Sequence, residues 1–286
     1  ALMEMVQETY DCIDEIEHLL GESLELQQCG SVTISSSDAS LKELEALEEA
    51  AVRFGIPNER IDREAFERTS SLDGGLGGRR GALHAYGCVY RLCFVMFRLC
   101  TCCTKSRGGI ASEYEVKAIV AVGDKTTGVE LADGEKVLAS VVVNAAGSWA
   151  NLLMRPLGVG LPFTPVRSHF WITGTNPGRF PANHPFTVIP DARAFTRSDV
   201  GALIIGLRES ECQAFNPDTL TDKLEDFDFN KAAEWKVLDE CAPLLQRYLP
   251  DIETLGIAHY MAGPSCYVPD AKFIIGRCVH TKGCMP

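Results

Sequence analysis

The sequence predicts an α+β fold with no internal repeat and no linker, and three observations carry that prediction. Apolar residues recur at helical spacing over residues 2–20 and again over 41–51. From Glu115 the period changes to two. The last 25 residues return to strand, loop and strand.

In order along the chain, Met5, Ile13, Ile16, Leu19 and Leu20 stand among acids and predict an amphipathic helix over residues 2–20, ended by Gly21. Residues 24–35 read as extended, with Gly30 in the middle and Val32, Thr33 and Ile34 beyond it. A second helix follows. Ser40 and Glu43 have capping-box spacing, Leu41, Leu44, Leu47 and Ala51 form one face, and Gly55-Ile56-Pro57 stops it. Residues 62–68 read as one more short helix, and 71–87 as glycine-rich and irregular. Val116, Ala118, Val120 and Val122 alternate up to Gly123-Asp124. Residues 128–131, the Asp133-Gly134 turn and 136–144 complete a meander that runs into a buried strand at Val141-Val142-Val143. Further strands are expected around 166–174 and 202–206, and an acidic helical stretch containing Trp235 over 221–248.

With 286 residues, 46% hydrophobic and 23% charged, the chain can bury a sizeable core in one large domain or two smaller ones. A formal net charge of -12 repels phosphate backbones and argues against nucleic-acid binding. Ala1-Leu2-Met3-Glu4 has neither the basic start nor the apolar run of a signal peptide, so no targeting segment is expected here. The most apolar stretch, 88–103, is too short to span a bilayer and is broken by Arg91 and Arg98. It holds five of the twelve cysteines, with Cys100 and Cys103 in CxxC spacing and Cys88 and Cys93 upstream. Lacking a glycine knuckle, these read as buried thiols, and no metal site is expected.

Two segments carry possible chemistry. In VVVNAAGSWA (141–150) a β-branched run ends on Ala145-Ala146-Gly147 ahead of a helix start at Ser148. Small residues at the carboxyl end of a buried strand let a backbone approach a nucleotide, although a plain strand-to-helix turn uses the same residues. In GPSCYVPDAKFIIG (263–276) a strand end enters a turn, and Lys272-Phe273-Ile274-Ile275-Gly276 reads as a short strand; a buried β-turn accounts for this without any ligand.

Together with LPFTPVR (161–167), these two segments resemble, in order and separation, the D-amino-acid oxidase/sarcosine oxidase (DAO) family of flavoenzymes, nearest its sarcosine and dimethylglycine dehydrogenase branch. LELQQCGSVTIS (24–35) and LEALEEAAVRFGIP (44–57) are similar to that family's first substrate-domain elements. The resemblance implies an FAD-binding Rossmann-like α/β remnant from residues 1–22, 88–160 and 265–286. Interleaved with it would be a substrate domain with a mostly antiparallel sheet, from 23–87 and 161–264. It implies FAD as cofactor, with Val116 near the adenine, Ala145, Ala146, Gly147 and Trp149 along the adenosine, and Gly276 by the flavin. His169, Arg197 and Tyr267 would line the cavity for a small amino-acid substrate, where an arginine can hold a carboxylate in a bidentate pair. No catalytic base is implied. The reaction would be oxidation of the CH–NH bond of an N-methylated or other amino acid, with oxygen or an electron-carrier flavoprotein as acceptor. Mitochondrial and cytoplasmic locations both fit the family.

The sequence departs from that pattern in several places. It lacks an opening strand with GxGxxG; the one glycine run, 75–81, follows no buried strand and starts no helix. Residues 74–110 match the family poorly, and the expected final glycine segment is missing, so a partial chain is expected. Where family members tether the flavin through a C-terminal cysteine, the resemblance puts Gly263 in this chain, which argues against attachment there. The alternative reading is a non-catalytic family member acting as an interaction subunit, similar to the regulatory subunit of pyruvate dehydrogenase phosphatase.

Overall fold

The computed structural model describes residues 2–24, 26, 29–34, 36–62, 66, 68, 82–85, 109–220 and 232–278. The glycine run at 75–81, the cysteine-rich stretch at 88–103, residues 221–231 of the acidic stretch and the C-terminal residues beyond 278 lie outside these.

The first helix, α1 (Leu2–Leu20), forms as its periodicity requires. Ile13 and Leu20 pack with Leu24, and the Gly21 N–H donates to the Glu17 carbonyl. The Glu17 carboxylate accepts from Ser23 Oγ at 2.9 Å and Leu24 N at 2.6 Å, which turns the chain into its next segment. The second helix, α2 (Asp38–Arg53), begins three residues earlier than the Ser40 cap expected from sequence. Ser37 is the cap and Ser40 its reciprocal partner. Asp191 selects that cap: its carboxylate accepts from Ser37 Oγ at 2.6 Å and from Ser40 Oγ at 2.8 Å.

Eleven strands are described: β1 (Ser31–Thr33), β2 (Asn58–Ile61), β3 (Ala82–Ala85), β4 (Val116–Val122), β5 (Lys125–Leu131), β6 (Lys136–Leu138), β7 (Thr164–Thr173), β8 (Phe186–Ile189), β9 (Ala194–Asp199), β10 (Ala202–Leu207) and β11 (Ile257–Tyr267). Two short helices join them, α3 (Ala150–Met154) and α4 (Ala232–Leu245). β3 corrects the expectation of an irregular stretch across 71–87: it is held between two ladders, to β1 and to β2.

The described residues fall into two compact units. The first lies within Ala1–Ile110, His169–Glu209 and Phe229–Met261, and the second within Ala111–Ser168, Ser210–Asp228 and Ala262–Pro286. The limits cut through β7 and β11, and α1 falls in the first unit.

The first unit is built on the eight-stranded sheet, in the order β11-β7-β10-β9-β8-β1-β3-β2. β7–β10, β10–β9, β9–β8, β1–β3 and β3–β2 pair antiparallel, and β1 pairs parallel with β8. Neighbouring strands in register put Trp171, Leu203, Ile205, Leu207 and Ala194 on one face. That face is packed: these residues join Val237, Cys241 and Leu245 of α4 and Tyr248, Leu249 and Ile252 in the main core. Because side chains alternate along a strand, Phe170, Ile172, Phe195, Arg197 and Ile204 point to the opposite face. Phe195 lies directly over Gly206, where an added Cβ would sit 2.2 Å from a ring carbon, so only glycine fits beneath that ring.

The second unit contains the three-stranded meander β4-β5-β6 with α3 against β4. Two expected strands are not formed here. Val141-Val142-Val143 is extended without a ladder and largely exposed, with Val143 84% accessible. Phe273, Ile274 and Ile275 are likewise unpaired and exposed. β-branched and aromatic residues favour a strand only where a neighbouring strand supplies hydrogen bonds and a packing surface. No such neighbour lies beside either segment among the described residues.

Candidate functional site

In the second unit, Asn144 shapes the small-residue turn. Its Nδ2 donates to the Ala150 carbonyl at 3.0 Å, and its Oδ1 accepts from Ala146 N at 3.2 Å. The side chain thus ties Ala146 to Ala150 across the turn. Ala145 and Gly147 are exposed, and Gly147 has φ +55° with no protein atom within 4 Å of the position a Cβ would take. A residue with a side chain is strained in that conformation; glycine is not. The next residue, Ser148, is buried and donates from Oγ to the Pro264 carbonyl at 2.8 Å, which ties the turn to β11. Asn151 repeats the device. Its amide donates to the Leu161 carbonyl at 3.0 Å and accepts from Leu161 N at 2.8 Å, a pair of hydrogen bonds that fixes α3 to the segment before β7. Neither asparagine stood out in the sequence, because nothing in residue spacing shows which backbone groups a side-chain amide will meet.

Of the residues expected beside the cofactor, Val116 opens β4 opposite Leu131, and Trp149 is half-buried just before α3. Gly276 lies in the exposed segment after the Asp270 turn. An open, apolar turn of small residues fits the adenosine end of FAD, since a flat ring can come close to backbone that carries no bulk. Among the described residues no glycine turn leads into the N-terminus of a long helix, the arrangement a pyrophosphate requires.

The three residues expected to line a substrate cavity are placed differently from one another. His169 points into the packed face and is fully buried. Its Nδ1 is 2.7 Å from the Tyr260 hydroxyl, its Nε2 meets the Glu209 carboxylate, and its ring stacks on Trp171 with centroids 5.3 Å apart. Both nitrogens are taken up within the core. Arg197 lies on the opposite face, paired with Ile204 across the β9–β10 ladder and 3.8 Å from Asp199. Around it that face carries aromatic rings: Phe195 is 5.8 Å from Phe170 and 5.4 Å from Phe186, centroid to centroid. Tyr267 ends β11 and is exposed in the second unit. His169 and Arg197 therefore do not meet.

Arg197 on a half-buried aromatic platform can bind a carboxylate on one side and apolar atoms on the other. No group of three or more acidic, cysteine or histidine residues that could hold a metal ion occurs among the described residues, and no described helix is long and apolar enough to cross a membrane.

A family model described as FAD dependent oxidoreductase matches residues 1–285. The chain belongs to this family. Among curated proteins, this member of the FAD-dependent oxidoreductases is 23% identical over 282 residues to 4-methylaminobutanoate oxidase (formaldehyde-forming) of Paenarthrobacter nicotinovorans, covering 93% of this chain and 32% of that protein. It is 27% identical over 160 residues to human mitochondrial sarcosine dehydrogenase, covering 56% of this chain and 17% of that one. The chain thus spans a third or less of these relatives. Among solved structures, L-proline dehydrogenase from P. horikoshii superposes with a TM-score of 0.75 at 19% identity, over 96% of this chain and 69% of that one. Glycine oxidase from Geobacillus kaustophilus gives 0.70 at 16%, over 94% and 67%. At these identities the likeness establishes the fold, a mixed α/β flavoenzyme architecture rich in antiparallel sheet.

Proposed function

We propose that this chain belongs to an enzyme that oxidises the CH–NH bond of a small amino acid, of the N-methylated sarcosine or dimethylglycine type, with FAD as cofactor. The observation that carries the substrate class is Arg197, a guanidinium on a sheet face it shares with Phe170, Phe195, Ile172 and Ile204 and 3.8 Å from Asp199. An amino acid offers a carboxylate for a charge-assisted pair and apolar carbon for the rings. The relatives named for oxidation of 4-methylaminobutanoate and of sarcosine point to the same class.

In this reading Ala145, Ala146 and Gly147 lie along the adenosine, with Val116 and Trp149 beside it and Gly276 toward the flavin. Residues 1–22, 88–160 and 265–286 form the cofactor region, and 23–87 with 161–264 the substrate region. FAD, when bound, supplies the acceptor for a hydride from the carbon next to nitrogen. The chain's own part is to fix the substrate carboxylate through Arg197 and to keep that carbon on the apolar platform. Tyr267 is a further lining residue. His169, enclosed in the core, supports the sheet from behind. Electrons leave to oxygen or to a carrier flavoprotein.

The test is the visible spectrum of the chain after incubation with FAD and removal of the excess. Flavin bands bleached by sarcosine or dimethylglycine are expected, with bleaching weakened by Arg197→Leu. A chain that retains flavin but is bleached by none of these substrates would remove the substrate assignment. Retention of no flavin would mark the chain as an incomplete or non-catalytic member of the family.

A further inference from the structure

Three aromatic rings form a line on the packed side of the large sheet. Trp171 is fully buried, and its indole N–H has no hydrogen-bond partner among the described residues. Tyr260 stands next to it, with centroids 5.2 Å apart. Trp235, on α4, lies 6.1 Å beyond Tyr260 and is 37% exposed. The line thus runs from the core to solvent in steps short enough for the rings to be near van der Waals contact.

The middle ring has a side-chain partner for its proton. The Tyr260 hydroxyl is 2.7 Å from His169 Nδ1. On the other side of the imidazole, Nε2 meets Glu209, and an ionised carboxylate only accepts hydrogen bonds. With the imidazole neutral, Nε2 therefore carries the hydrogen and Nδ1 is the acceptor for the phenol. The charge that would form on the imidazole after proton transfer is then already faced by a carboxylate in a low-dielectric setting, where such a pairing counts most.

We propose that Tyr260 is a redox-active tyrosine that relays an oxidising equivalent between buried Trp171 and surface Trp235, with His169 as its proton acceptor. An oxygen-derived one-electron oxidant takes one electron from Trp171. The unpartnered indole N–H cannot pass its proton on, so the product is a radical cation. Tyr260 gives one electron to that cation, its O–H bond breaks, and the proton moves to His169 Nδ1. This leaves a neutral tyrosyl radical beside an imidazolium paired with Glu209. Trp235 then returns one electron to Tyr260, the proton goes back from Nδ1 to the phenolate oxygen, and the vacancy reaches the surface. There a soluble thiolate fills it, becoming a thiyl radical. The core regains its starting state. The relay goes beyond the proposed amine oxidation and needs no flavin to be observed.

Flash-generated tris(bipyridine)ruthenium(III), which enters from solvent at Trp235, tests it on the whole chain. The expected result is a long-lived tyrosyl signal by electron paramagnetic resonance, forming more slowly in deuterium oxide. That component should be lost in Tyr260→Phe, which keeps the ring and removes only the hydroxyl, and its yield should fall in Trp235→Phe. A long-lived signal that survives Tyr260→Phe, or forms equally fast in deuterium oxide, overturns the assignment. An undiminished yield in Trp235→Phe overturns the route to the surface.

Discussion

β10 and residues 141–143 have nearly the same chemistry and opposite fates. Ala202-Leu203-Ile204-Ile205-Gly206-Leu207 is paired on both edges, packed on its α4 face and buried throughout. Val141-Val142-Val143 is at least as rich in strand-forming residues, yet has no ladder and faces outward. Strand propensity is therefore a conditional property. It is realised when neighbours supply backbone partners and an apolar surface, and it lapses without them.

The largest effect should come from the β10 side. Trp171→Ala, beside Ile205 in register, should cost roughly 3–5 kcal/mol in denaturant unfolding, the range for emptying a large aromatic site in a packed core. Asn151→Ala should come next, at about 1–3 kcal/mol, because both the N–H and C=O of Leu161 lose their partner in a protected place. The contrast itself is tested by Val143→Thr. With that side chain in solvent, the change should fall within about 0.5 kcal/mol of wild type. A cost as large as that of a β10 core change would mean that residues 141–143 are packed after all.

A smaller, pH-dependent effect belongs to Asp191. Partial burial by itself would raise its carboxyl pKa. The hydrogen bonds from Ser37, Ser36 and Ser40 outweigh that and hold it at about 2, against an ordinary 3.8. A group whose folded value is depressed adds stability above its unfolded value and loses it as pH falls toward the folded one. Melting temperature should therefore drop between about pH 4 and pH 2, and Asp191→Asn should flatten that part of the profile. An unchanged slope in the variant would mean the serines hold α2 without the carboxylate.

The sequence shows some of this plainly. α1, α2 and the β4–β5 hairpin are legible because their periodicity is local and each carries its own stop at Gly21, Gly55 or Gly123. β2 is not legible, since Asn58-Glu59-Arg60 reads as solvent-facing until β3 arrives beside it. β9 hides behind Thr196, Arg197, Ser198 and Asp199, polar residues that the sheet buries or half-buries through long-range packing. Residues 141–143 and 273–275 mislead in the other direction, because propensity speaks and the missing neighbour does not. The partners of His169, Glu209 and Tyr260, are distant in sequence, so they could not be read from Ser168 and Phe170 beside it.

Phe195 rests on bare main chain at Gly206, with no room for even a methyl between them. The height of that ring above the sheet is therefore gauged by the backbone itself and not by any neighbour that could be exchanged. Phe170 and Phe186 lean on the same ring. The floor on which Arg197 stands thus has one datum level, and a single hydrogen atom at position 206 keeps it.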